Sequence, residues 1–170
     1  MVPIFTQTVG AGGAASITFN NIPSNYTDLK VVFSTRATPG ATRWGMYYRL
    51  NGDTATNYSY TSINGYDSSS TQSARASSAT LFGEQVVDAD TATANTFSNN
   101  EIYIPNYSAS IFKQATAEYV AENNSGSNYM LGFSGELWRN TAAINSITIA
   151  PNSGSFMQYS TFTLYGIKNA

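Results

Sequence analysis

Two carboxylates are enough for glycoside hydrolysis when they flank the scissile bond, so the ten acidic residues are the natural place to look for chemistry. Glu118 and Glu122 fall on one side of a single predicted strand, with Glu122 at its end beside Asn123. Asp88 and Asp90 stand two apart in an apparent loop and could offer oxygens to a hard cation such as calcium. No EF-hand spacing accompanies them, and both acidic pairs read as solvated surface. Gly10-Ala11-Gly12-Gly13 has the look of a phosphate loop, but no Lys-Ser/Thr follows it. A phosphate loop aims the backbone N–H groups of a helix start at the anion. Here the next segment, Ala15–Phe19, alternates as a strand, so the glycines read as a flexible join.

The chain has no histidine and no cysteine. That removes the usual general base, the commonest nitrogen metal ligand, thiolate zinc sites and any disulfide. A Ser-His-Asp triad cannot be built. The residues therefore call for no cofactor and no metal, and imply no enzyme. A net charge of −2 spread without runs argues against nucleic acid, which needs clustered Lys and Arg. No segment approaches the roughly 20 apolar residues that insert in a membrane, and the N-terminus lacks the pattern of a signal peptide.

Aromatic residues are the most suggestive feature, with 12 Tyr, 9 Phe and 2 Trp. Tyr58, Tyr60 and Tyr66 gather around one Asn-Gly pair, and Trp44 heads a strand. Such side chains can stack on sugars or anchor an interface, because a rigid apolar face carries a polar tip. Tyr also simply suits sheet surfaces. Charged residues make up only 11% of the chain, whereas 21 Ser, 20 Thr and 17 Asn supply about a third of it. A partner would thus be held by aromatic and uncharged polar contacts.

The elements that must position these groups are strands. Apolar residues alternate almost throughout: Ile17 and Phe19; Leu29, Val31 and Phe33; Met46, Tyr48 and Leu50. Strands are predicted over Thr27–Arg36, Arg43–Leu50, Asn57–Ile63, Ala79–Val87, Glu101–Ile104, Phe112–Ala121, Tyr129–Arg139, Ile144–Ala150 and Tyr159–Ile167. Asn51-Gly52 and Asn64-Gly65 read as tight turns of a hairpin meander. Residues 67–80 and 88–100 read as long polar loops. The expectation is a single domain over residues 1–170, an all-β, jelly-roll-like antiparallel sandwich of about ten strands.

A resemblance carries the reading further. Gly135-Glu-Leu-Trp138 leading to Ile144 and Ile147, the ending Leu164-Tyr165-Gly166-Ile167-Lys168, Phe19-Asn-Asn-Ile22-Pro near the start, and Arg49-Leu50-Asn51-Gly52-Asp53 together resemble small virion structural proteins of tailed bacteriophages of the cyanophage and marine-phage type. The resemblance implies an all-β module displayed on the particle surface, made in the host cytoplasm. It carries no site residues with it.

The expected role is a capsid decoration, or cement, protein that braces the major capsid protein of the head shell. A chain with so few charges leaves its strand edges poorly guarded, which points to a closed homo-oligomer, a trimer. Val2, Ile4 and Phe5 are the expected reach to a neighbour, with Trp44, Tyr58, Tyr60 and Tyr66 as further partner contacts. The alternative is a tail-associated receptor-binding or fibre-tip module gripping host surface glycan. A chain whose first strand is under way by Ile4, with no docking segment ahead of it, favours decoration.

Overall fold

Alternation of period two becomes a strand wherever one face can be covered. The computed structural model describes residues 1–67 and 70–168, and among them holds twelve strands and no helix. In chain order they are β1 (Val2–Thr8), β2 (Ile17–Phe19), β3 (Asp28–Thr35), β4 (Arg43–Leu50), β5 (Tyr58–Tyr66) and β6 (Ser70–Ala79). There follow β7 (Val86–Asp88), β8 (Ser98–Ile104), β9 (Lys113–Ala121), β10 (Met130–Trp138), β11 (Ile147–Pro151) and β12 (Thr161–Ile167). Eight form one sheet in the order β1-β12-β3-β8-β9-β10-β5-β6, and four form a second, β2-β11-β4-β7. Every pairing between these strands is antiparallel. This is the all-β, jelly-roll-like sandwich that the alternation predicts, folded as one domain.

The predicted inward residues make the core between the sheets. Ile17, Phe19, Leu29, Val31, Phe33, Met46, Tyr48 and Leu50 are all buried, as are Ile102, Ile104, Ile147, Ile149, Phe162 and Leu164. Aromatic rings knit the two layers. Phe82 lies 4.8 Å from Tyr48 and meets Tyr58 edge-on at 4.9 Å, while Phe162 touches Phe156 at 4.9 Å and stacks on Phe33 at 5.6 Å. Such pairs add about 0.5–1.5 kcal/mol each beyond burial.

Several predicted details are corrected. Asn64-Gly65 is no turn: both lie inside β5, where Asn64 faces Gln72 and Gly65 faces Thr71 of β6. Asn64 is buried and its Oδ1 accepts a 2.6 Å hydrogen bond from the Tyr119 hydroxyl, so a buried partner overrides the turn preference of the pair. Asn51-Gly52 does turn, with both φ angles positive at 54° and 63°. Yet it joins β4 of the small sheet to β5 of the large one, so it closes no hairpin.

The loop predicted over residues 67–80 is largely β6, with Ser68 and Ser69 outside the described residues. As an edge strand it leaves both faces largely exposed, so it needs no apolar alternation; backbone pairing to β5 holds it. The loop predicted over 88–100 shrinks to residues 89–97, because Asp88 ends β7 and Ser98 begins β8. The Arg36 guanidinium ties that loop down by donating to the carbonyls of Asp90, Ala92, Thr93 and Thr96 at 2.8–3.1 Å. The strand predicted over Ala79–Val87 is split, with Phe82 making only an isolated bridge to Tyr48.

Two glycines of β10 give the fold a direct test. A Cβ on Gly132 would lie 2.3 Å from both the Tyr119 ring and Asn64 Oδ1, whereas one on Gly135 meets nothing within 4 Å. Overpacking of this kind costs about 1–3 kcal/mol. Denaturant unfolding is expected to show Gly132→Ala lowering the unfolding free energy by that amount, and Gly135→Ala leaving it unchanged or slightly raised.

Candidate functional site

The eight-stranded sheet turns one face to the core and one outward, and on β10 the two faces are sharply different. Met130, Gly132, Ser134, Glu136 and Trp138 point in; Leu131, Phe133, Gly135 and Leu137 point out. Trp138 is fixed there by its Nε1, which donates to Asp53 Oδ2 at 2.8 Å. Asp53 also accepts from the Ala55 amide and from Asn57 Nδ2, both at 2.8 Å. Its partial burial works to raise its pKa, but these hydrogen bonds outweigh that and hold the carboxyl below its ordinary value.

The outer face has an apolar half. Phe133 pairs across strands with Ile63, and Leu131 with Val120. Their exposures are 44%, 56%, 61% and 39%. Four large apolar side chains on three adjacent strands make a contiguous patch. Patches of that kind mark interaction surfaces.

Two residues further along β10 the face becomes a groove of ≈ 390 Å³. One register row crosses it: Arg75 on β6, Thr61 on β5, Gly135 on β10, Thr116 on β9 and Tyr103 on β8. Gly135 leaves the middle of the floor without a side chain. The next row adds Ser59, Leu137 and Gln114. The Tyr103 hydroxyl donates to Asp28 Oδ2 at 2.8 Å, and Asp28 Oδ1 accepts from the Asn106 amide at 2.9 Å, which fixes the ring at one wall.

Beneath the floor lies an acid that the sequence did not single out. Glu136 points into the core, where Tyr48 donates to Oε2, and Gln85 Nε2 and Ser134 Oγ donate to Oε1 at 2.7 and 2.9 Å. Burial pushes its pKa from an ordinary 4.5 up to about 7, against the lowering effect of those three donors; Glu84 nearby raises it further. The only sequence signal was a Glu in phase with Trp138. The opposite phase holds Leu131, Phe133 and Leu137, so alternation alone assigns Glu136 to solvent.

The predicted site residues scatter. Tyr58 is fully buried and offers nothing to a partner. Tyr60 is partly buried against the core beside Glu84. Val2, Ile4 and Phe5 belong to β1, paired to β12 of the same chain; Phe5 stacks on Phe19 at 6.0 Å and Val2 remains exposed. Trp44 packs against the main core cluster and Tyr66 against a smaller one, with the Arg43 guanidinium 4.4 Å from the Tyr66 ring centroid. Trp44 and Arg43 line a second cleft of ≈ 470 Å³ with Thr91 and Asn128.

Of the predicted acids, Glu118 is exposed on β9 opposite Glu101, and Glu122 is exposed beyond its end. Asp88 is buried while Asp90 is exposed, so burial separates the two carboxylates. No group of three or more metal-ligating side chains occurs among the described residues.

No protein-family model matches the chain, and no curated protein matches it. Among solved structures, the Caenorhabditis elegans galectin LEC-6 is similar over 94% of this chain and 95% of its own, at 12% identity and a TM-score of 0.38. So distant a likeness says nothing of ligand or role.

Glu136 makes stability depend on pH. Its folded value lies above the unfolded one, so its contribution is full below about pH 4.5 and is lost as pH rises through about 7. At ~1.4 kcal/mol per unit, the loss is about 3 kcal/mol. Asp88, also raised mainly by burial, acts in the same sense from a lower ordinary value. Thermal unfolding at pH 5 and pH 8 should therefore show a drop in stability that Glu136→Gln largely removes.

Proposed function

We propose that this chain is a virion structural protein, a capsid decoration module that works through its surfaces and carries out no reaction. The observation that carries this is the exposed row Ile63, Phe133, Leu131 and Val120 on the outer face. Burying each such side chain stabilises a complex by roughly 1.5–3 kcal/mol before the costs of association. The acids support the non-catalytic side of the reading. Glu136, beneath the groove floor, faces away from it and is enclosed by three donors.

In this reading the apolar row packs against a neighbouring copy in a symmetric trimer, and the trimer braces the major capsid protein. The sequence resemblance to small phage structural proteins supplies the particle as the setting. Of the two edges of the large sheet, β1 is guarded and β6 is left open to a neighbour. β1 carries Pro3 and a register irregularity between Pro3 and Phe5, two devices that guard an edge. β6 has ten residues, no proline and one charge, Arg75.

Two measurements test this. Light scattering should give three times the 18.3 kDa chain mass, and Leu131→Ser with Phe133→Ser should return a folded monomer, since both side chains are already exposed. Protein quantification in purified particles should give the high copy number that icosahedral repetition of a shell site imposes. A low copy number set by the symmetry of a tail would replace this reading with the receptor-binding one. A monomer that fails to bind empty shells would overturn the structural role altogether.

A further inference from the structure

We infer that the groove between Arg75 and Tyr103 is a binding site for a short neutral saccharide. The inference goes beyond the structural role proposed above and does not depend on it, because the groove is complete within one chain. Its ≈ 390 Å³ falls within the ~300–1,000 Å³ of small-ligand clefts. Five strands span it, so at about 4.8 Å per strand it is roughly 19 Å across. That is room for a ligand of one or two pyranose rings lying over Gly135.

The lining selects the ligand class. A pyranose offers C–H groups on its faces and hydroxyls around its rim. Leu137, Pro105 and the fixed ring of Tyr103 supply apolar surface, while Ser59, Thr61, Gln114 and Thr116 supply uncharged donors and acceptors. Arg75 has no acidic partner within ion-pair distance among the described residues, so its donors are free to reach hydroxyl oxygens.

The other ligand classes fit less well. A nucleic acid or polyphosphate would meet one arginine and, one row away, Glu118 and Glu101. Glu101 is already paired with Lys30 at 2.7 Å. An extended peptide binds by adding a strand to a free edge. The floor here is β5, β10 and β9, each paired on both sides, so its backbone has no such edge to give. A purely apolar ligand would leave four polar side chains desolvated without partners.

Gly135→Leu is the decisive variant. A side chain there meets no protein atom at its Cβ and occupies the groove itself, so it blocks the site while the sandwich stands. The isotope-labelled chain would be titrated by NMR with the methyl glycosides of glucose, galactose, mannose and N-acetylglucosamine, and with maltose and lactose, to high millimolar concentration.

At least one sugar is expected to give saturable shifts centred on the amides of Thr61, Thr116 and Gly135. Gly135→Leu should weaken that binding by at least about tenfold, with an unchanged spectrum elsewhere. Arg75→Ala should weaken it less, and Leu131→Ser, on the apolar half of the face, should leave it intact. No saturable shift with any of these sugars would overturn the inference, as would shifts centred outside the groove or binding that survives Gly135→Leu. None of these outcomes alters the copy number or oligomeric mass on which the structural role stands.

Discussion

The phase of β10 is the constraint from which the rest follows. A strand has a side-chain period of two, so fixing one residue's face fixes them all. Trp138 is held inward by its hydrogen bond to Asp53 and by stacking near Tyr58 at 6.5 Å. Gly132 must then also face inward, and the Tyr119 ring occupies the space its missing side chain leaves. Ser134 and Glu136 are drawn into the core with them. Leu131 and Phe133 are driven out to solvent, and Gly135 is left at the centre of the outer face. The apolar patch, the groove and the buried acid are thus three consequences of one register.

A carboxyl in the core is costly unless it is neutral or fully partnered. Glu136 meets both conditions in part. Three side-chain donors surround it, yet burial still outweighs them and keeps its pKa near neutrality. Removing those donors would favour the neutral acid further; removing the acid would strand Tyr48, Gln85 and Ser134. The network gives Tyr48, Gln85 and Ser134 one shared acceptor between the sheets. It also explains how a strand with an inward glycine, serine and glutamate can sit in a core at all.

The framework was legible in the sequence because Leu29, Val31 and Phe33, or Met46, Tyr48 and Leu50, each present one apolar face that a second packed layer must cover. Where the pattern reversed, local reading failed. Asn64-Gly65 carries the strongest hairpin signal available, but a buried hydrogen bond from Tyr119, far away in sequence, makes it a strand. Ser70–Ala79 has no pattern to find, since an edge strand with two exposed faces needs none. The aromatic residues drew attention as contacts, yet Tyr58 is core. The groove is built largely from Thr, Ser, Gln and Gly, types that carry no signal until register aligns them. A site made by pairing five strands cannot be seen along one chain.

The two halves of the outer face bear on each other physically. Phe133 and Gly135 are separated by two residues, about 7 Å along a strand, so a copy seated on the apolar row would end close to the groove without filling it. Such a neighbour would leave the groove open to solvent, since the groove is lined by a single chain. A shallow groove on a single chain holds a sugar weakly, because most of the ligand stays hydrated. Repetition changes that balance. If the proposed trimer and groove site both hold, several identical grooves in one symmetric assembly would engage a repetitive glycan with an effective concentration set by their spacing, raising avidity by orders of magnitude without any new contact. A weak site and a symmetric scaffold would then belong together: the apolar half of β10 would set the array, and the glycine two residues beyond would leave each member its opening.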